Sequence, residues 1–160
     1  MINIIVNIAD MKATDNQEAT LVTYSLGSCI GVAIYDPLVK VGGLLHFMLP
    51  DSRINPQKAR RNPCMFADTA LPSLFREAYK LGAKKNRMEV KVAGGSQIID
   101  LSGFFNIGKN NYMALREILS THGVPIRAED VGGRGNRTIS LEISSGKVLI
   151  RTSGGPTREL

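Results

Sequence analysis

The sequence predicts an α+β fold, a mixed or antiparallel sheet core with helices packed outside it. Three observations lead there. Four apolar stretches of strand length follow one another before the first stretch with helical period. Tight turn chemistry joins them, as at Asp36-Pro37, which suits antiparallel neighbours. The full order of strands, helix, strand, helix, strands does not alternate as a doubly wound fold would.

Taken in order, Ile2 to Ile8 alternates as a strand, and the polar run Asp10 to Glu18 reads as a loop. Thr20 to Ser25 and Cys29 to Tyr35 are the second and third strands. Val39 to Met48 is the fourth, and Gly42 and Gly43 within it mark a bulge or a close backbone approach. From Pro50 to Pro63 the chain changes character: Asp51, Arg53, Asn55, Pro56, Lys58, Arg60 and Arg61 make a polar, basic loop, either functional or a solvated connector. Met65 to Leu81 has helical period, with Phe66, Ala70, Leu74 and Ala78 four apart and Gly82 as a stop. Pro72 does not suit a helix interior and predicts a kink or a later start. Glu89 to Ala93 is a strand ending at Gly94-Gly95. Lys109 to His122 is a second helix, stopped by Gly123 and Pro125. Ile126 to Asp130 is a further strand. Thr138 to Ile143 and Lys147 to Thr152 form a hairpin around Ser144-Ser145-Gly146, and Ser153 to Leu160 reads as a loose tail.

The 160 residues are read as one domain, 1–160, long enough to bury a core. Apolar content of 43% is ordinary for a soluble globular protein, and no stretch has the roughly 20 apolar residues a membrane span needs. Met1 to Asp10 lacks the features of a signal peptide, so a cytoplasmic location is expected. Two cysteines make no disulfide framework. The net charge of +6 favours an acidic partner. A nucleic-acid reading is disfavoured, because no aromatic stacking platforms interleave with the basic residues.

Chemistry concentrates in one pair. Cys29 closes the glycine-bearing run Ser25-Leu26-Gly27-Ser28-Cys29, and His46 lies on the next strand-like stretch. A thiol at a bend and an imidazole on a neighbouring strand are the minimum equipment for a sulfur nucleophile with a general base. Gly27 and Ser28 allow a sharp turn that leaves N–H groups free to hold an oxyanion. The bland alternatives are a small buried hydrophobe for Cys29 and a satisfied core histidine for His46. Thr23, six residues before Cys29 on the neighbouring strand, is a candidate to fix the His46 tautomer.

Cys64, near a helix start, is the rival thiol, but no histidine has an obvious path to it. His122 reads as a helix-end cap. The segment Gly132-Gly133-Arg134-Gly135-Asn136-Arg137 matches neither a phosphate-binding loop nor a dinucleotide fingerprint and reads as a flexible turn. No residues have metal-ligand spacing, so no metal or cofactor is expected.

The chain resembles the CheD family of bacterial chemoreceptor glutamine deamidases along nearly its whole length. The resemblance is carried by Thr23-Tyr24-Ser25-Leu26-Gly27-Ser28-Cys29, by Asp36-Pro37, and by Val41-Gly42-Gly43-Leu44-Leu45-His46-Phe47-Met48-Leu49-Pro50. Ala93-Gly94-Gly95, Asn106-Ile107-Gly108-Lys109-Asn110-Asn111 and Glu129-Asp130-Val131-Gly132-Gly133 add to it. Pro72 departs from the pattern, as do Ile98 and Ile99, where relatives can carry a methionine and a phenylalanine. These departures bear on partner contacts more than on catalysis.

The resemblance implies a β-sandwich-like core flanked by helices, similar to the catalytic domain of deamidating toxins. It implies a cysteine-dependent amidohydrolase needing no cofactor, acting on glutamines of the cytoplasmic helices of methyl-accepting chemotaxis receptors, with methylglutamate ester hydrolysis as a second activity. It also implies association with CheC, a phosphatase. In this reading Cys29 is the nucleophile, His46 the base and then acid, and Thr23 the orienter of His46. Arg53, Lys58, Arg60 and Arg61 would steer an acidic receptor helix. The competing reading is a non-catalytic chemotaxis module acting through a CheC-type phosphatase.

Overall fold

The computed structural model describes residues 1–97 and 106–160. Among these residues, ten strands form two five-stranded sheets. Sheet A is ordered β1 (Ile2–Ile5), β3 (Ala19–Leu26), β8 (Arg137–Glu142), β9 (Val148–Thr152), β10 (Thr157–Glu159). Sheet B is ordered β2 (Asp10–Thr14), β5 (Val41–Phe47), β4 (Ile30–Asp36), β6 (Glu89–Gly94), β7 (Ile126–Val131). Both are mixed: β1 runs parallel to β3 and β6 parallel to β7, while the other pairs are antiparallel. The helices are α1 (Pro56–Arg61), α2 (Ala67–Lys80) and α3 (Ile107–Thr121). The expected α+β, sandwich-like architecture is therefore what the chain adopts.

The alternation of β4 and β5 sorts their side chains between two cores. Ile30, Val32, Ile34, Leu45 and Phe47 join Leu71, Leu74, Leu115 and Leu119 under the helices. Ala33, Tyr35 and Leu44 meet Leu21, Leu26, Ile139 and Leu141 between the sheets. Buried on both faces, β4 and β5 are apolar throughout apart from His46, their glycines and Asp36, and each fully buried Leu, Ile or Phe contributes about 1.5–3 kcal/mol. Gly42 and Gly43 are close approaches and not bulges, since their pairing register is unbroken. A Cβ on Gly42 would lie 2.6 Å from Cδ1 of Ile143, just past β8, and one on Gly43 would lie 2.9 Å from Cδ1 of Leu74 in α2.

Several local expectations are corrected. The polar run after Asp10 begins with strand β2. It is an edge strand whose residues are half-buried or exposed, so it carries little apolar signal. The basic loop folds into a 3₁₀ turn, Ser52–Ile54, and then α1, each capped by an Asx side chain: Asp51 accepts from Arg53 N–H and Asn55 from Lys58 N–H. Helix α2 starts at Ala67 and continues through Pro72. The proline is exposed, so the Asp68 carbonyl it leaves without a helical donor faces water. The tail forms β10 against β9. The glycine-rich turn is pinned, since Gly132 N–H donates to Gly94 O and Arg137 reaches Gly94 O, Ser96 Oγ and Gly132 O. Ile98 and Ile99 lie outside the described residues.

Candidate active site

β5 sets the direction of His46. Within this strand Gly42, Leu44 and His46 face sheet A, while Gly43, Leu45 and Phe47 face the helices. His46 is fully buried, paired to Gly31 of β4 on one side and to Asp10 of β2 on the other. Across the gap β3 points Thr23, also fully buried, back at sheet B, and Thr23 Oγ1 lies 2.8 Å from His46 Nδ1.

The hydroxyl has a second partner that fixes the direction of this bond. Thr23 Oγ1 donates its only proton to Val6 O at 2.7 Å, so toward the ring it can only accept. Nδ1 therefore carries the hydrogen and Nε2 presents a lone pair. Nε2 is buried and has no hydrogen-bond partner among the described residues. Burial lowers the His46 pKa from 6.5 to about 4, so the ring is neutral near pH 7. The segment crossing from β1 to β2 braces the pair: Val6 N–H donates to Val22 O and Ala9 N–H to His46 O.

Cys29 sits at the end of the bend, immediately before β4. A bulge in β3 between Thr23 and Leu26, with Ser25 at φ 60°, starts the bend. Its three consecutive carbonyls are then taken from one side. Gly27 O accepts from Ser96 N–H at 2.8 Å, Ser28 O from Asn111 Nδ2 at 2.9 Å, and Cys29 O from Gly95 N–H at 2.9 Å. The fit is close, since a Cβ on Gly94 would fall 2.2 Å from Cys29 O. Neither Ser28 N–H nor Cys29 N–H finds an acceptor on another described residue.

Cys29 is half-buried and packs against the core between the sheets, the face that His46 also occupies. Cys29 lies two residues before Gly31, the ladder partner of His46, and just outside the paired strand. Burial pushes the Cys29 thiol up, partly offset by its own backbone N–H. The resting pair is thus thiol and neutral imidazole, without an ion pair.

Of the other sequence candidates, Gly27 and Ser28 form the bend. Lys58, Arg60 and Arg61 are exposed on α1, and Arg53 is ion-paired to Asp51. Helix α1 connects to the site through Asn62, whose Nδ2 donates to Ala9 O at 3.0 Å, the residue bonded to His46. Cys64 lies in the 3₁₀ turn before α2 and belongs to the core under the helices, with its thiol pushed up by burial and by the Asp10 charge. His122 is the C-cap of α3. Among the described residues no three His, Cys, Asp or Glu side chains gather as metal ligands would, and no helix is long and apolar enough to cross a membrane.

Asn111 is the site residue to which sequence reasoning gave no role. It is fully buried, donates to Ser28 O and to Met48 O at 2.8 Å, and leaves Oδ1 without a partner among the described residues. An unsatisfied buried acceptor costs about 1–3 kcal/mol. One signal was available: Asn111 falls four and eight residues before Leu115 and Leu119, a polar residue in the buried stripe of α3.

The family profile described as CheD chemotactic sensory transduction matches residues 48–152. A protein of Syntrophus aciditrophicus named "Probable chemoreceptor glutamine deamidase CheD 1" is 54% identical over 99% of both chains. A "Probable chemoreceptor glutamine deamidase CheD" of Solibacter usitatus is 47% identical over 96% of this chain and 91% of its own. A "Probable chemoreceptor glutamine deamidase CheD 2" of Anaeromyxobacter dehalogenans is 43% identical over 92% of both. With a braced imidazole, a thiol on the same face and a family match over most of its length, this chain belongs to the CheD family.

Proposed function

We propose that the protein deamidates glutamine side chains of chemoreceptors to glutamate, with Cys29 as nucleophile. The observation that carries this reading is the buried, unpaired Nε2 of His46, whose proton-accepting tautomer is set by the Thr23 hydroxyl. It is joined to the activity named for the relatives.

Because thiol and imidazole both rest neutral, deprotonation accompanies attack. As the Cys29 sulfur closes on the carbonyl carbon of the glutamine side chain, its proton passes to Nε2 of His46. The N–H groups of Ser28 and Cys29 receive the oxyanion. The imidazolium, its other N–H still held by Thr23, gives its proton to the departing nitrogen. The C–N bond breaks, ammonia leaves and a thioester remains. Neutral His46 then takes a proton from water as the water attacks the thioester. The thiol leaves with that proton, and glutamate is released. A methylglutamate ester fits the same steps with methanol in place of ammonia, and this second activity is part of the reading.

The reading is tested by incubating the protein with a receptor cytoplasmic fragment and following each glutamine by mass spectrometry, with ammonia measured in parallel. Conversion of glutamines to glutamates by wild type, absent with Cys29→Ala, is the expected result. If Cys29→Ala keeps a CheC-type phosphatase bound while wild type never releases ammonia, the chain is a binding module instead.

Steering belongs to the same reading. Lys58, Arg60 and Arg61 lie on a helix two hydrogen bonds from His46, and Arg53 contributes less because Asp51 offsets its charge. Neutralising all four should lower kcat/KM several-fold at low salt and flatten its ionic-strength dependence, since exposed charges act through a screened field. An unchanged salt profile makes α1 a connector.

A further inference from the structure

The Cys29 bend is held by three contacts, two from backbone N–H groups and one from a side chain, Asn111. We propose that Asn111 is a positioning residue of the deamidation site: its carboxamide fixes the peptide plane before Cys29 and locks the bend to the strand that carries His46. This inference rests on the thiol reading above and names a residue that acts through Cys29.

The argument begins with the planar peptide. The Ser28–Cys29 bond is trans, so the Ser28 carbonyl and the Cys29 N–H point in opposite directions. Whatever holds the carbonyl aims the N–H. Asn111 holds it at 2.9 Å, and the Cys29 N–H is left without an acceptor on any other described residue. The second hydrogen of the same Nδ2 goes to Met48 O at 2.8 Å, two residues beyond His46 on the same run of chain. One side chain thus spans the nucleophile's bend and the continuation of the base's strand. It joins them where ladder pairing has ended, since the β4–β5 register stops at Ile30 and Phe47.

The amide orientation is not free. Turned over, Oδ1 would face two carbonyl oxygens, so both hydrogens belong where they are and Oδ1 is left buried, without a partner among the described residues. An apolar residue in the same stripe would avoid that cost. Helix α3 is also fixed against the bend: a Cβ on Gly108, one turn before Asn111, would lie 2.4 Å from Ser96 O and 2.6 Å from Gly95 O. Ser96 and Gly95 are the residues that hold the Gly27 and Cys29 carbonyls. The helix, the Gly95-Ser96 turn and the bend form one stack, and Asn111 is its polar link to the base's strand.

Steady-state ammonia release from a receptor fragment by Asn111→Leu and Asn111→Ser decides the matter, with the active fraction counted by stoichiometric alkylation of Cys29 in a Cys64→Ala background. Leucine fills the space and removes both donors. Serine is too short to span the two carbonyls and adds no bulk against the bend. The expected result for each folded variant is a kcat per alkylatable thiol lowered about 10- to 100-fold, with KM within about two- to three-fold of wild type. A structural role alone would lower the melting temperature or the active fraction and leave kcat per active site unchanged, and that result overturns the proposal. If Asn111→Leu does not fold, Asn111→Ser is read by the same criterion, and its kcat at the wild-type level is equally fatal. Failure of the underlying reading looks different: Cys29→Ala would then release ammonia like wild type.

Discussion

Strands β4 and β5 present the same face to sheet A at both ends of the sandwich, and the two ends are finished in opposite ways. At one end Tyr35 fills the gap beside Gly42, its hydroxyl donates to Ile143 O at 2.8 Å, and Gly146 of the β8–β9 turn packs against its ring. Every polar atom the aromatic residue brings there has a partner. At the other end stand Cys29, His46 and Thr23. The ring is as deeply buried, yet among the described residues its Nε2 has no partner, and the Asn111 Oδ1 behind the bend has none either. The strand pair thus satisfies its polar atoms at the Tyr35 end and leaves His46 Nε2 open at the other, among the described residues. Buried unsatisfied groups are rare and costly, and both of these lie at the end where the proposed reaction would take place.

The comparison breaks first at the thiol. Cys29→Ala should lower ammonia release at least about 10³-fold, while Cys64→Ala, a change in the core under α2, should leave kcat within about two-fold. The reverse result would move the chemistry to the other core. Next comes the brace. Thr23→Val keeps size and removes the acceptor for Nδ1–H, so the ring loses its fixed tautomer. The expected effect is a kcat lower by about 10- to 100-fold, less than loss of the base itself, with binding of the receptor fragment retained.

The third prediction concerns stability. Burial depresses the folded-state pKa of His46 from 6.5 to about 4. Below pH 6.5 the unfolded chain gains a proton that the folded chain refuses. The contribution of neutral His46 is therefore complete above 6.5 and is lost as the pH falls from 6.5 toward 4, amounting to on the order of 3 kcal/mol. Chemical denaturation of wild type and His46→Gln across that window measures it: the two curves of stability against pH should converge on acidification. Parallel curves would mean that the ring is charged or solvated in the folded state. The smallest effect is expected at the closed end. Tyr35→Phe removes one hydrogen bond and leaves Ile143 O unpaired, costing about 1–2 kcal/mol without changing kcat. A change in kcat there would tie the two ends together.

The two ends also differ in how far they were legible in the sequence. The strand-length apolar runs that become β4 and β5 were legible, and so was the bend at Gly27-Ser28-Cys29 from its residue types. Strand β2 was not legible because an edge strand buries little and only Met11 and Ala13 of its five residues are apolar. The parallel pairings of β1 with β3 and of β6 with β7 could not be read from local turns, since partners that run parallel are joined by long excursions. Thr23 was found by proximity in sequence, but its donation to Val6 O, which settles the tautomer, joins residues 17 apart on a crossing segment. Asn111 was hidden for a related reason: it lies 83 residues from Ser28 and 63 from Met48, and its only trace was a polar side chain in an apolar stripe.

The sequence by itself supplied the candidate chemistry: a thiol at a tight glycine-bearing bend and an imidazole on the next strand-like stretch. Those are properties of residue type and near-neighbour spacing. The tertiary structure alone decided which ring nitrogen is free, which peptide hydrogens remain unpaired and which distant side chain holds the bend. These outcomes depend on the register between sheets and on how closely a helix approaches a loop, and both are set by long-range packing.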